Sequence, residues 1–148
     1  VELKKCNIKD DPVRTELDNV FRRSYGRRIY GVKYMGEIHA VMCFAYTNEI
    51  PKNVDELDKF SHDAFLQSAQ RDQNVGQIAI AYTVWSKKKG GGKLIVKEVF
   101  KKIKKSNYLN RLVTLSPLTE MATKFHSKNG AKLIRVNEKT QNFEYKVI

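Results

Sequence analysis

The chain has 148 residues, 41% hydrophobic and 30% charged, which is the size and composition of one globular domain with a sizeable core and excludes a disordered tail or a fibre. Its two cysteines, Cys6 and Cys43, are too few for a disulfide framework and lack metal-ligand spacing, and no apolar run approaches the ~20 residues that span a bilayer. The formal charge of +12 is the most unusual bulk property and favours polyanionic partners. The expectation is a single domain over 1–148, soluble and cytoplasmic, with thiols reduced, no metal and no membrane partner.

Asp11 before Pro12 is a helix-start signal, and Val13, Leu17, Val20 and Phe21 form one apolar stripe, predicting a helix over 12–25. From Arg28 the period becomes two. Ile29 to Tyr34 and Ile38 to Tyr46, joined through Met35-Gly36-Glu37, predict a β-hairpin. Asn53 followed by Glu56 starts a helix carrying Leu57, Phe60 and Ala64, and the polar stretch from Gln67 to Asn74 reads as its frayed end or a mobile loop.

Gln77 to Trp85 is almost wholly apolar, as in a central strand covered on both faces. Beyond the glycines, Ile95, Val96, Val99, Phe100 and Ile103 oppose Lys97, Lys101, Lys102, Lys104 and Lys105, an amphipathic helix with a basic outer face. Leu112 to Leu115 is a further buried strand. Ser116-Pro117 begins a helix that ends at Asn129-Gly130, and Lys132 to Val136 with Phe143 to Ile148 make a closing hairpin around a polar segment, 137–142. This order predicts one mixed α/β domain without internal repeats.

Two basic clusters stand out: Arg22, Arg23, Arg27 and Arg28, and the ten lysines and arginines between Lys87 and Arg111, which face a single acid, Glu98. The stretch Ser86-Lys87-Lys88-Lys89-Gly90-Gly91-Gly92-Lys93 joins the buried strand to the basic helix. Glycines there let the backbone approach a ligand closely, and the first helical N–H groups have no intrahelical partner, so the turn suits phosphate oxygens. It is neither a Walker loop nor a dinucleotide fingerprint.

In these residues the chain resembles the GNAT superfamily of acyl-CoA-dependent N-acetyltransferases. Lys87-Lys88-Lys89-Gly90-Gly91-Gly92 matches the family's R/Q-x-x-G-x-G/A turn, with lysine in the first position. Thr119-Glu120-Met121-Ala122-Thr123-Lys124-Phe125-His126-Ser127-Lys128-Asn129-Gly130-Ala131 is similar to its C-terminal helix, with Thr119 in place of Asn, His126 in place of Tyr and Ala131 in place of Phe.

The resemblance implies a mixed, mostly antiparallel central sheet of six to seven strands flanked by helices, with acetyl-CoA bound through the turn residues Lys87 to Lys93. It also implies contacts from the strand residues Tyr82, Thr83, Val84 and Trp85 and from Thr119, and acetyl transfer directly to an amine acceptor. His126 then stands where the family's acid for the departing thiolate stands. The strand supplies no Asp or Glu as a base. Glu49, His62 and Asp63 are the other candidates for one, and surface charge explains them equally well.

His39 and Cys43 read as packed core residues, and Tyr30, Tyr34 and Tyr46 as core or cleft aromatics. Lys101 to Lys105 lie two or more turns beyond the phosphate turn. A solvated, solubilising helix face and a surface for a second polyanion, a nucleic acid docked along the helix at 93–105, explain them equally well, and the second leaves open a nucleic-acid-binding or nucleic-acid-modifying protein on the same scaffold.

Overall fold

The computed structural model describes residues 1–6, 17–71, 76–106 and 108–146. Eight strands form one sheet: β1 (Glu2–Lys5), β2 (Arg28–Tyr34), β3 (Glu37–Thr47), β4 (Ile78–Ser86), β5 (Arg111–Thr114), β6 (Ser116–Pro117), β7 (Lys132–Val136) and β8 (Thr140–Tyr145). Four helices flank it: α1 (Asn19–Arg23), α2 (Val54–Arg71), α3 (Gly91–Lys105) and α4 (Glu120–Lys128). The path runs β1-β2-β3-β4-β5-β8-β6 with β7 on β8, and every pair is antiparallel except β4 with β5. The expected mixed, mostly antiparallel sheet is therefore present, with the short strands β1 and β6 raising the count to eight. No helix among the described residues is long and apolar enough to cross a membrane.

The hairpin forms where the period of two placed it, and Met35 and Gly36, at φ 53° and 82°, make the tight turn. One face of the sheet buries Tyr30, Val32, Met42, Phe44, Ala79 and Ala81 beneath the apolar stripe of α3, Ile95, Val96, Val99 and Ile103. The other buries Ile29, Val41, Cys43, Ile80 and Tyr82 against Leu57 of α2 and Phe21 of α1. With both faces covered, β4 is buried from Ile78 to Thr83, as its unbroken apolar run requires.

Four expectations change. The proposed helix start at Asp11-Pro12 lies outside the described residues; α1 itself begins at Asn19, where Asp18 Oδ1 accepts from the Phe21 amide at 2.9 Å. Of the stretch from Gln67 to Asn74, Gln67 to Arg71 belong to the helix, and the rest lies outside the described residues. Ser116-Pro117 is a short strand on β8, and α4 starts only at Glu120, where the Thr119 hydroxyl caps it by accepting from the Ala122 amide at 3.1 Å.

The last strand starts earlier than expected, inside the polar segment, because its polar side chains are buried with partners. Asn142 Nδ2 donates to Pro51 O and Thr114 O at 3.0 and 2.8 Å, and Gln141 Nε2 donates to Pro117 O and Thr123 Oγ1 at 3.0 and 2.8 Å. Two of the four clustered arginines are buried. Arg22 and Arg27 are 1% and 2% exposed, and Arg27 is held by Asp58 Oδ1 at 2.6 Å and Ser61 Oγ at 2.8 Å while stacking over Phe21 at 4.1 Å.

Candidate active-site cleft

The site is opened by a parting of strands. β4 and β5 run parallel from Ile78 opposite Arg111 to Ala81 opposite Thr114, and just beyond, the Leu115 amide donates to Ala81 O at 2.9 Å. The chain then turns away to pair Ser116-Pro117 with β8, while Tyr82 to Ser86 continue along β3. At this point β4 carries a bulge: Thr83 faces Cys43 and Ala81 faces Phe44, so Tyr82 is an extra residue that bends the strand. Between the parted strands lies a cleft of about 510 Å³, walled by Ala81 to Ser86, by Leu115 to Pro117, and by Thr119, Met121, Ala122, Phe125 and His126 of the α4 segment. Crevices beyond the carboxyl ends of parallel strands are where α/β sheets take ligands.

The glycine turn stands at the end of β4. The amides of Lys87 and Lys88 both donate to His39 O, at 2.8 and 3.1 Å, so neither is available to a phosphate, and the Gly91 amide donates to Lys88 O at 2.9 Å. The amides of Lys89, Gly90, Gly92 and Lys93 have no backbone acceptor among the described residues, and these point out of the helix start.

Each glycine has its own task. Gly90 adopts φ 82°, the left-handed cap of α3. A Cβ on Gly91 would run into His39 O, and one on Gly92 would meet Phe125 Cε1 at 2.5 Å. The helix start is thus pressed against β3 on one side and the cleft wall on the other. Lysine side chains surround it: Lys87 Nζ lies 5.2 Å over the Trp85 ring, Lys88 Nζ is 3.5 Å from Glu37, and Lys89 and Lys93 are exposed.

Of the residues singled out in the sequence, Tyr82, Thr83, Val84, Trp85, Thr119 and His126 share the cleft, and Lys87 to Lys93 form the turn next to it. His126 is 5% exposed. Its Nδ1 lies 2.7 Å from the Tyr145 hydroxyl, and burial pushes its pKa down to about 4. Burial thus favours the neutral imidazole near neutrality.

Neither Glu49, His62 nor Asp63 lines the cleft, and no other carboxylate does among the described residues. His62 is stacked on Tyr25 at 4.0 Å, and the half-buried His39 ring meets Tyr34 edge-on at 5.5 Å. Tyr30 and Tyr46 belong to the core, Tyr34 is exposed, and buried Cys43 accepts from Arg22 at 3.1 Å. Sequence reasoning missed Tyr145, an ordinary member of an alternating strand until the fold brings it to His126, and the ring of Phe125 against Gly92.

No family model matches the chain, and no curated protein does. Solved structures match it in fold. A Bacillus subtilis acetyltransferase in complex with CoA superimposes with a TM-score of 0.62 at 10% identity, covering 99% of this chain and 98% of that one. The GphF GNAT-like decarboxylase in complex with isobutyryl-CoA gives 0.60 at 8% identity, covering 81% and 78%. The Campylobacter jejuni N-acetyltransferase PseH in complex with acetyl coenzyme A gives 0.53 at 14%, covering 82% and 68%. At such identities the likeness is one of architecture, and the architecture is the GNAT fold.

Proposed function

We propose that this domain is an acyl-CoA-dependent acyltransferase that moves an acetyl group from acetyl-CoA directly to a primary amine. The observation that carries the reading is the meeting of the parted β4–β5 cleft with the glycine turn at the start of α3. The free amides of Lys89, Gly90, Gly92 and Lys93, with the lysines around them, suit the pyrophosphate, and the mostly apolar cleft wall suits the pantetheine arm. The solved structures of this fold that hold CoA or acyl-CoA support the same assignment. In the reaction the amine nitrogen bonds to the thioester carbonyl carbon, the C–S bond breaks with its electron pair on sulfur, and the amine gives up one proton. With no carboxylate on the cleft wall, the acceptor must arrive as the neutral amine or lose its proton to water.

Calorimetry with acetyl-CoA tests this. The wild-type domain is expected to bind, and Gly92→Val, which drives a side chain at the Phe125 ring, is expected to stay folded and bind at least tenfold more weakly. Equal affinity in a folded variant would move the cofactor elsewhere.

One observation favours a second polyanion on the same protein. Six lysines, Lys93, Lys97, Lys101, Lys102, Lys104 and Lys105, are exposed along α3, whose one acid, Glu98, is taken by Lys101 at 3.4 Å. Lys101 to Lys105 lie about 12 Å or more beyond the turn at 1.5 Å per residue, out of reach of the pyrophosphate. A variant with Lys101, Lys102, Lys104 and Lys105 changed to Gln is expected to keep its acetyl-CoA affinity while losing retention on single-stranded RNA and showing a shallower salt dependence. No retention of the wild type at low salt would leave these lysines as a solvated face.

A further inference from the structure

We infer that Tyr145 is a positioning residue for His126: its hydroxyl donates to Nδ1, so the ring proton sits on Nε2 and the imidazole offers an N–H donor to the cleft. The placement of the proton rests on geometry alone. What that donor serves rests on the acyl-transfer reading.

The two side chains come from different elements, α4 and β8, and meet at 2.7 Å in the core. Tyr145 is 2% exposed, and Nδ1 is the acceptor its hydroxyl reaches among the described residues. If Nδ1 carried the proton and donated to the phenolic oxygen instead, the buried hydroxyl hydrogen would have nothing to bond, which costs about 1–3 kcal/mol. Burial also favours the uncharged form of both partners, pushing the imidazole down and the phenol up. A neutral imidazole has one N–H, so an acceptor Nδ1 places it on Nε2.

The ring is held in that orientation. Phe143 lies against it at 5.3 Å with planes 32° apart, Phe125 meets it edge-on at 5.1 Å, and Phe100 meets Tyr145 edge-on at 6.3 Å. His126 lines the cleft, and its side-chain hydrogen bond to Tyr145 is taken by Nδ1, so Nε2 is the ring nitrogen left to serve the cleft. A neutral Nε2–H keeps its proton through the reaction. It stabilises the negative charge that gathers on sulfur or on the carbonyl oxygen, and the proton that finally neutralises the thiolate is the one the amine has lost.

Two-bond 1H–15N spectra of the whole domain labelled with 15N-histidine read the tautomer at pH 7. The wild type is expected to show a protonated Nε2 and a bare Nδ1 at His126. Tyr145→Phe, which keeps the ring and loses the donor, is expected to give an averaged pattern of the two tautomers. A protonated Nδ1 in the wild type, or an unchanged pattern in the variant, overturns the inference, and the first of these does not depend on the variant folding. Acetyl-CoA is then added. A moved Nε2–H resonance supports the donor role, and binding seen by calorimetry with that resonance unmoved removes it. Absence of binding sinks the acyl-transfer reading separately, because the tautomer is measured on the free protein.

Discussion

Gly91→Ala is expected to be strongly destabilising, costing about 3 kcal/mol and undocking the glycine turn. The new Cβ would meet His39 O, a backbone atom fixed within β3, so no side chain can swing aside to relieve the contact. Relief would require the turn to lift, and with it the two bonds from the Lys87 and Lys88 amides to that same oxygen, each worth about 1 kcal/mol. Overpacking adds roughly 1–3 kcal/mol. Against a total stability of about 5–15 kcal/mol for a domain, a loss of that size is visible in a urea melt. Its neighbours set the scale: Gly90→Ala has open space and only the left-handed φ to bear, about 1–2 kcal/mol, while at Gly92 the clash is with a ring that can turn. A Gly91→Ala melt within about 0.5 kcal/mol of wild type would show that the turn is not clamped to β3.

That clamp shows where the sequence stops being informative. Three glycines after a buried strand and before an amphipathic helix mark a ligand turn by composition alone, but which glycine meets a backbone, which meets a ring and which merely turns the chain depends on β3 and α4, which lie far off in sequence. The hairpin at Met35-Gly36 and the α3 stripe were legible because each rests on local periodicity. The strand at Thr140 was not: a run of Thr, Gln and Asn looks like a loop until Pro51, Thr114 and Pro117 supply carbonyls for it. The burial of Arg22 and Arg27 was not legible either, since what decides it is tertiary, such as the carboxylate of Asp58 across the fold. Within the site, the resemblance named strand and helix residues that the fold brings to one cleft, whereas the charge state of His126 depends on burial, which no local pattern encodes.

Acid is expected to destabilise the domain through His126, and the window follows from its pKa. Unfolded, the imidazole titrates near 6.5; folded, burial holds it at about 4. Between those values the unfolded chain takes up a proton that the folded one refuses. The stability tied to the neutral ring is therefore fully present above about pH 6.5, falls as pH drops, and is gone below about pH 4, a total of about 3 kcal/mol. His126→Phe removes this slope, and comparing urea melts of the two proteins from pH 7 to 4 isolates it. A His126 resonance that titrates near pH 6.5 in the native protein would contradict the assignment.

On the proposed acyl-transfer reading the same neutral ring is expected to act in turnover: with little imidazolium near neutrality, His126 should impose no fall in activity as pH rises from 6 to 8, and the rate should climb with deprotonation of the amine. Removing the N–H in His126→Phe is expected to cut kcat about 10²-fold with acetyl-CoA affinity kept, as for loss of one preorganised donor. His126→Gln, whose amide nitrogen reaches the place of Nε2, is expected to recover much of it. Equal rates for Phe and Gln would leave His126 as a packing residue between Phe125 and Phe143.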